Sequence, residues 1–321
     1  MAKVVVTRKI PGNGVRMLRD AGFEVAVSPH DRVLERGELL NFIQGADGVL
    51  CMLTDKVDEE FINAVGPNLK IVANFAVGTD NFNLPALLSH NVQATNTPDV
   101  LTEAVAEHAF ALIMAITRRI AEADKLARSG FPPAFGPEVL LGMELKGKTL
   151  GVLGLGRIGS RVAEIGKSMG MDVIYYDIKQ NADFEAKVGA VFKSTPEDLL
   201  KEADVVSVHV PLLDSTRHLI NTDRLKMMKP TAYLVNTSRG PVVDEVALVE
   251  ALKNGTIKGA GLDVFENEPN HAPGLDELTN VVMTPHIASA TIEARSAMGE
   301  LAAKNIIAVL SGQPPLTPVK V

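Results

Sequence analysis

The sequence predicts an α/β fold of two doubly wound parallel-sheet domains, one inserted into the chain of the other. Three observations carry this. Short apolar runs alternate with helical patterns in both halves of the chain, the arrangement that makes a parallel sheet covered on both faces. One strand–helix–strand unit, Lys148 to Asp177, contains glycines in G-x-G-x-x-G spacing. Between the halves runs a helical stretch, about Leu101 to Arg128, whose first part (TEAVAEHAFALIMAI) is apolar almost all round.

In chain order, the first strands are expected at Val4–Thr7, Phe23–Val27, Gly48–Leu53, Lys70–Asn74 and Val92–Thr95. Between them, apolar residues recur at helical spacing in Pro11–Ala21, Glu35–Gln44, Asp58–Val65 and Leu84–Ser89, with Pro11 suited to a first turn and Gly22 and Gly66 to helix ends. No phosphate-binding glycine pattern follows the first strand, so this half reads as a flavodoxin-like substrate domain. The long helical stretch is apolar enough to be buried, and it suits a domain interface or a subunit contact. Ser129–Gly142, rich in Pro and Gly, reads as a loop.

The central unit follows. Thr149–Leu153 is a buried strand; Gly154 allows a tight turn, Gly156 a close backbone approach, and Gly159 helix–strand packing. A helix from Arg157 to about Met169 ends at Gly170, and a strand from Asp172 to Tyr176 runs into Asp177. A helix N-terminus behind such a loop binds pyrophosphate, and an acid about twenty residues on accepts hydrogen bonds from a ribose. Lone glycines at this spacing are weak evidence; with both strands, the helix and the acid they predict a Rossmann dinucleotide site. Beyond it, Thr195 caps a helix with Pro196 in its first turn. Strands are expected at Asp204–Val208, Ala232–Asn236, Ala260–Val264 and Val281–Thr284, with helices at Asp244–Lys253 and Thr291–Leu310. The last helix is inferred to return to the first domain. The expected division is therefore residues 1–100 with 287–321 as substrate domain and 101–286 as Rossmann domain.

Composition bounds the function. A chain of 321 residues, 46% hydrophobic and 22% charged, has room for two ordinary domains. A net charge of −7 argues against nucleic acid as a partner. The single cysteine, Cys51, lies in an apolar run and fits a small core residue. No run approaches the roughly 18 apolar residues of a membrane span, and the N-terminal apolar run is too short for a signal peptide, so no membrane role and a cytoplasmic location are expected.

Three polar residues close predicted parallel strands: Arg239 after TAYLVNTS, Glu268 after AGLDVFEN and His286 after VVMTP. Ligands of open α/β sheets bind at such carboxyl ends. Arg offers a planar fork for a carboxylate, His carries a proton near neutral pH, and a carboxylate beside an imidazole favours its protonated form. Singly, each could be a surface or strand-end residue; together they suit reduction of a carbonyl acid. His108 inside the long helix suits packing or a helix–helix hydrogen bond, and His209 and His218 lie near the cofactor edge. No spacing suits a metal site or a serine nucleophile. Phe75–Asn81 (FAVGTDN) follows the fourth strand, where Val77 and Gly78 could present backbone N–H groups to an anion or simply form a turn.

With these residues in view, the chain resembles the D-isomer-specific 2-hydroxyacid dehydrogenases over essentially its whole length, through FAVGTDN, NTPDVLTEAVAEH, GVLGLGRIGSRVA, HVPLLDSTRHLI, MKPTAYLVNTSRGPVVDE, GLDVFENEP and TPHIASAT. Within the family it is most similar to glyoxylate and hydroxypyruvate reductases. The resemblance implies that Arg239 binds the substrate carboxylate and polarises the keto oxygen, and that His286, paired with Glu268, is the acid–base. It implies that the backbone at Val77 and Gly78 holds the carboxylate and that Asp263 contacts the nicotinamide carboxamide. Thr102, Arg157, Ile158, Val210, Pro211 and Thr216 would line the cofactor beside Gly154, Gly156, Gly159 and Asp177. A homodimer is implied as well. Asp177 would repel a 2′-phosphate, so NAD(H) is expected over NADP(H). Relatives often carry Trp in the loop after the long helix, where this chain has Phe131 and Phe135; phosphoglycerate-specific ones carry a basic residue at the position of Asn74. The alternatives are a dehydrogenase of another 2-keto acid, such as a D-lactate-type enzyme, and an NAD(H)-sensing scaffold like the C-terminal-binding-protein corepressors.

Overall fold

A computed structural model describes residues 1–130 and 136–319 of the chain. Phe131 and Phe135 lie outside the described residues. The chain separates into two compact units, dividing between Leu101 and Thr102 and again between Ala288 and Ser289. Both are doubly wound parallel sheets.

The first unit opens with β1 (Lys3–Val6), α1 (Gly14–Asp20), β2 (Glu24–Val27), α2 (Arg36–Phe42), β3 (Gly48–Cys51), α3 (Glu59–Val65), β4 (Ile71–Asn74), α4 (Leu84–Ser89) and β5 (Gln93–Thr95). The five strands pair in parallel in the order β2-β1-β3-β4-β5, the flavodoxin-like order. β3 and β4 are buried throughout, as uninterrupted apolar runs require. Val5, Val49 and Val72 meet Phe61, Ile62 and Leu87 from α3 and α4 in one core, and Cys51 is a buried member of it. Pro11 is not in a first turn: α1 starts three residues later, behind the cap Asn13. A side chain at Gly14 would lie 2.5 Å from the Gly299 carbonyl of the last helix, so the two helices approach closely at these glycines.

The second unit contains α5 (Thr102–Thr117), α6 (Ile120–Arg128), β6 (Thr149–Leu153), α7 (Arg157–Ser168), β7 (Asp172–Tyr176), α8 (Ala182–Val188), β8 (Val191–Phe192), α9 (Pro196–Glu202), β9 (Val205–Val208), α10 (Thr222–Met227), β10 (Tyr233–Asn236), α11 (Glu245–Lys253), β11 (Gly259–Leu262) and β12 (Val281–Met283). Its seven strands run β12-β11-β10-β9-β6-β7-β8, the Rossmann order with one added strand. Alternate residues enter opposite cores, as the period of two demands: Val205 and Val235 join α5 and α7 on one face, while Val206 and Leu234 join α9 and α11 on the other. The chain then returns to the first unit through α12 (Ile292–Leu310), which packs on α1, β3 and β4.

Two expectations change here. The long helical stretch is two helices. Thr117 gives its carbonyl to the Met143 N–H (2.9 Å), and Arg119 turns into the left-handed region at φ 54°. The apolar character of α5 is consumed within its own unit, where Ala106, Ala109, Phe110 and Ile113 pack on the sheet and on Val162 and Ala163 of α7. It therefore does not by itself call for a partner subunit. The short β8, α8 and α10 escaped the sequence pattern; α8 and α10 are each set by an Asn cap, Asn181 and Asn221. Among the described residues, no helix is long and apolar enough to cross a membrane.

Candidate active site

The glycine loop is shaped as a phosphate cradle. Gly154 adopts φ +94°, and a side chain there would lie within 2.9 Å of the His209 carbonyl. A Cβ at Gly159 would stand 2.0 Å from the Gly154 carbonyl, so helix and loop meet this closely only because residue 159 is glycine. Gly156 is different. A Cβ there meets no atom within 4 Å, so this glycine leaves room on the open side of the loop. It is also the N-cap of α7, and without a side chain it provides no cap of its own. Ile158 and Arg157 form the first turn. These are the features a pyrophosphate needs: close approach, a helix N-terminus and no competing cap.

Asp177 ends β7 as expected, with Oδ2 accepting the Leu155 N–H and Oδ1 the Ile178 N–H, both at 2.7 Å. The carboxylate is thereby fixed at the rim of a groove of about 460 Å³ lined by Leu155, Asp177, Lys179, Gln180 and Asn181. Val210 and Pro211 follow β9, the strand paired with β6, and Thr216 closes their turn by donating to the Pro211 carbonyl at 2.6 Å. Thr102 is the first residue of α5.

Three loops of the same unit carry the proposed chemistry. Asn236, buried at the end of β10, donates to the Arg239 carbonyl (2.9 Å) and accepts from the Ser238 N–H (3.0 Å), fixing the turn that presents Arg239. Gly240 lies so close to the Phe265 backbone that a Cβ would sit 1.9 Å from its carbonyl carbon. The Arg239 turn is therefore packed against the loop of Glu268. Buried Glu245 holds that loop closed by accepting the N–H groups of Glu266 and Ala272, each at 2.8 Å. Glu268 accepts the Phe265 N–H through Oε1 (3.1 Å) and the His286 Nδ1–H through Oε2 (2.8 Å). His286 is thus oriented through one nitrogen, its side chain 26% exposed, with Nε2 on the side of the ring away from Glu268.

Comparison with known proteins identifies the family. Residues 110–288 match the model of the D-isomer specific 2-hydroxyacid dehydrogenase NAD binding domain. A glyoxylate reductase of Thermofilum pendens is 50% identical over 317 residues, covering 98% of this chain and 93% of its own length. One from Pyrococcus furiosus is 48% identical, covering 98% and 94%. The chain belongs to the D-isomer specific 2-hydroxyacid dehydrogenases. It is an oxidoreductase of hydroxy and keto acids that uses a nicotinamide dinucleotide. Among solved structures, the NADPH-dependent glyoxylate/hydroxypyruvate reductase of Sinorhizobium meliloti, in complex with NADP and malonate, superposes with a TM-score of 0.85 at 34% identity, covering 99% of this chain and 96% of that one.

In this dehydrogenase Asp263, expected at the nicotinamide carboxamide, is wholly buried beneath the His286 turn. Its carbonyl accepts the His286 N–H (2.8 Å), its Oδ1 the Ile287 N–H (2.8 Å), and its Oδ2 the Ala288 N–H (2.8 Å). Three successive N–H groups thus close around one residue, two of them on its carboxylate, and His286 sits in the left-handed region at φ 54°. Thr284 adds a bond to Oδ1 (2.6 Å), and His108 of α5 donates to the Thr284 hydroxyl (3.0 Å), 3.4 Å from Oδ1. Burial alone would push Asp263 up, yet the hydrogen bonds from His108, Thr284, Ile287 and Ala288 hold it below the usual carboxylate range. The sequence marked His108 only as a polar residue in an apolar helix. A half-buried imidazole in an apolar helix is expected to find a partner, but that partner lies 155 to 176 positions away and no spacing reveals it.

His209 follows β9, its Nε2 2.7 Å from the Ser207 hydroxyl, and burial pushes it down to about 3. It is neutral beside the glycine loop and is no acid. His218 pairs with Glu266 at 2.7 Å, tying the Pro211–Thr216 turn's end to the Glu268 loop. Among the described residues no group of three or more His, Cys, Asp or Glu side chains is placed to hold a metal. In the first unit, Val77 and Gly78 form the loop beyond β4, partly exposed, with both carbonyls engaged by asparagine side chains.

Proposed function

We propose that this dehydrogenase reduces glyoxylate or hydroxypyruvate to the corresponding 2-hydroxy acid with NADH, with D stereochemistry where the product is chiral. The observation that carries the reading is the 2.8 Å pair between His286 Nδ1 and Glu268 Oε2 in a loop packed against the Arg239 turn. The names of the relatives, glyoxylate reductases at 48–50% identity, support the substrate class.

Residues 102–288 act as the cofactor unit, with Gly154, Gly156, Arg157, Ile158 and Gly159 at the pyrophosphate, Asp177 at the adenosine ribose, and Thr102, Val210, Pro211 and Thr216 along the dinucleotide. When bound, the reduced nicotinamide supplies the hydride, two electrons and a proton in one transfer to the carbonyl carbon. The protein supplies the rest. Arg239 holds the substrate carboxylate in its planar fork and draws electron density toward the keto oxygen. Val77 and Gly78, in the first unit, are proposed to hold a substrate carboxylate through backbone N–H groups. Glu268 fixes His286 through Nδ1, so Nε2–H delivers the proton to the oxygen as the hydride arrives, and takes it back in oxidation. Asp263 keeps that histidine in place from below.

The preference for NADH follows from Asp177, whose two oxygens are held by backbone N–H groups, so the carboxylate cannot swing away from a 2′-phosphate. Lys179 is the basic side chain on the same rim and favours the opposite choice. Kinetics with glyoxylate, hydroxypyruvate and pyruvate, each with NADH and NADPH, test the reading. Turnover of the first two with NADH, abolished in His286→Ala while NADH still binds, is expected. Silence across all three keto acids with NADH binding intact would point to the sensing scaffold, and a higher kcat/KM with NADPH would overturn the role given to Asp177.

A further inference from the structure

The loop that follows β4 is held from behind by two asparagine side chains. Asn74, wholly buried at the end of β4, donates from Nδ2 to the Gly78 carbonyl (2.8 Å) and to Asn81 Oδ1 (3.0 Å). Asn81 returns a bond to Asn74 Oδ1 (3.3 Å) and donates to the carbonyls of Met52 (3.2 Å) and Asp55 (3.0 Å). Asn96, just past β5, donates to the Val77 carbonyl at 2.7 Å. Two successive carbonyls are therefore turned toward side-chain donors of their own unit.

In a trans peptide the C=O and the following N–H point in opposite directions. Bonds to the carbonyls of Val77 and Gly78 therefore direct the N–H groups of Gly78 and Thr79 away from those donors. Neither N–H has a hydrogen-bond partner among the described residues. Asn96 is itself secured. The Thr317 hydroxyl donates to the Asn96 carbonyl (2.7 Å), and Asn305, buried on α12, donates to the Thr317 hydroxyl (2.8 Å) while accepting the N–H groups of Leu316 (2.9 Å) and Thr317 (3.0 Å). Val319 donates to the Ala94 carbonyl (2.8 Å), so the segment after α12 lies along β5. A chain of bonds runs from α12 through Thr317 and Asn96 to the loop.

We propose that Asn74 and Asn96 are positioning residues for the substrate carboxylate: by fixing two successive peptide planes they present the N–H groups of Gly78 and Thr79 as one anion-binding pair. The inference rests on the reading of this loop as the carboxylate site. Asn74 acts here through the backbone, whatever side chain relatives place at that position, and Thr79 joins Val77 and Gly78 as a donor.

The test compares Asn96→Ala and Asn74→Ser with wild type, measuring KM for glyoxylate, inhibition by oxalate, KM for NADH and the unfolding midpoint. Loss of one orienting hydrogen bond is expected to raise the glyoxylate KM and the oxalate inhibition constant together, on the order of tenfold, with the NADH KM within about twofold of wild type. A merely structural role would not separate substrate from cofactor in this way. Unchanged glyoxylate and oxalate values in Asn96→Ala, or an equal rise in the NADH KM, overturns the assignment while wild-type activity stands. If Asn74→Ser does not fold, Asn96→Ala decides alone. Wild-type protein that neither reduces glyoxylate nor binds oxalate overturns the reading of the loop, and the inference with it.

Discussion

Asp263→Asn is the most demanding test of how His286, the proposed acid–base, is held. The wild-type carboxylate accepts Thr284 Oγ1–H, Ile287 N–H and Ala288 N–H at 2.6–2.8 Å, wholly out of water. An asparagine keeps one acceptor oxygen and places an NH₂ where the other stood. If the NH₂ replaces Oδ2, it faces the Ala288 N–H; if it replaces Oδ1, it faces Ile287 N–H and the Thr284 hydroxyl. In either orientation at least one bond to a charged acceptor goes, about 1.5–3 kcal/mol, and a buried donor is left unpaired, about 1–3 kcal/mol more. That sum exceeds the roughly 1–2 kcal/mol it costs to keep a residue such as His286 in the left-handed region. The turn should therefore relax, and a displacement near 1 Å at the reacting group lowers turnover about a hundredfold. Steady-state kinetics should show kcat falling by that order with the NADH KM nearly unchanged, because the glycine loop makes none of these contacts. Urea unfolding should show a loss in the same few-kcal/mol range. Acid sensitivity changes with a definite sign. Because the folded Asp263 titrates below its unfolded value near about 3.9, its contribution is complete above that value and is lost as pH falls through the lower folded one. The variant lacks that loss. A kcat within about threefold of wild type, alongside a lowered unfolding midpoint, would refute the claim that Asp263 positions His286.

Three further outcomes are expected. Gly156→Ala should fold with wild-type stability, since its Cβ meets nothing within 4 Å and its φ of −71° suits any residue, yet raise the NADH KM on the order of tenfold, about 1.4 kcal/mol of binding. Gly159→Ala, whose Cβ would press within 2.0 Å of the Gly154 carbonyl, should destabilise the unit by about 1–3 kcal/mol in thermal unfolding; equal behaviour of the two variants would contradict the cradle. His209, pushed down to about 3 by burial, stays neutral in the fold while the unfolded chain protonates near about 6.5. Stability should thus fall as pH drops from the upper value toward the lower, by up to about 1.4 kcal/mol per pH unit, and His209→Gln should flatten that slope in denaturant titrations at several pH values.

What the sequence disclosed and what it hid divide along a physical line. Strand β6, the glycine spacing, α7, β7 and Asp177 were legible because every part lies within one contiguous stretch and obeys a local rule: a short apolar run, a glycine turn, then a helical pattern and a second apolar run. The placement of Arg239, Glu268 and His286 was legible because the carboxyl end of a parallel strand is a predictable place. The supports of those residues were not. Asp263 meets Ile287 and Ala288 across 24 and 25 positions, and Thr317 reaches Asn96 across 221. No periodicity encodes a hydrogen bond between loops that only the sheet order brings together. The break after Thr117 was hidden for the same reason: nothing in TEAVAEHAFALIMAIT forbids another turn, and it is the Met143 N–H, 26 positions on, that takes the carbonyl.

The hidden residues share a chemical character that explains their placement. Asp263, Glu245, Asn74, Asn236 and Asn305 are buried polar side chains whose partners are mostly backbone N–H or C=O groups of irregular segments. A loop at a strand's end has peptide groups that no ladder satisfies, and leaving them unpaired away from water is costly. One carboxylate or amide from the sheet end resolves several at once and selects a single loop geometry. Carboxylates serve where N–H groups must be gathered, as under His286 and behind Glu268. Amides serve where a carbonyl must be turned away, as at Val77, Gly78 and Arg239. The side chains proposed to meet substrate are therefore only as precise as this layer beneath them. Substitutions in that layer should change kcat or the substrate KM before they change the overall fold, whereas Gly156→Ala should act on the cofactor alone.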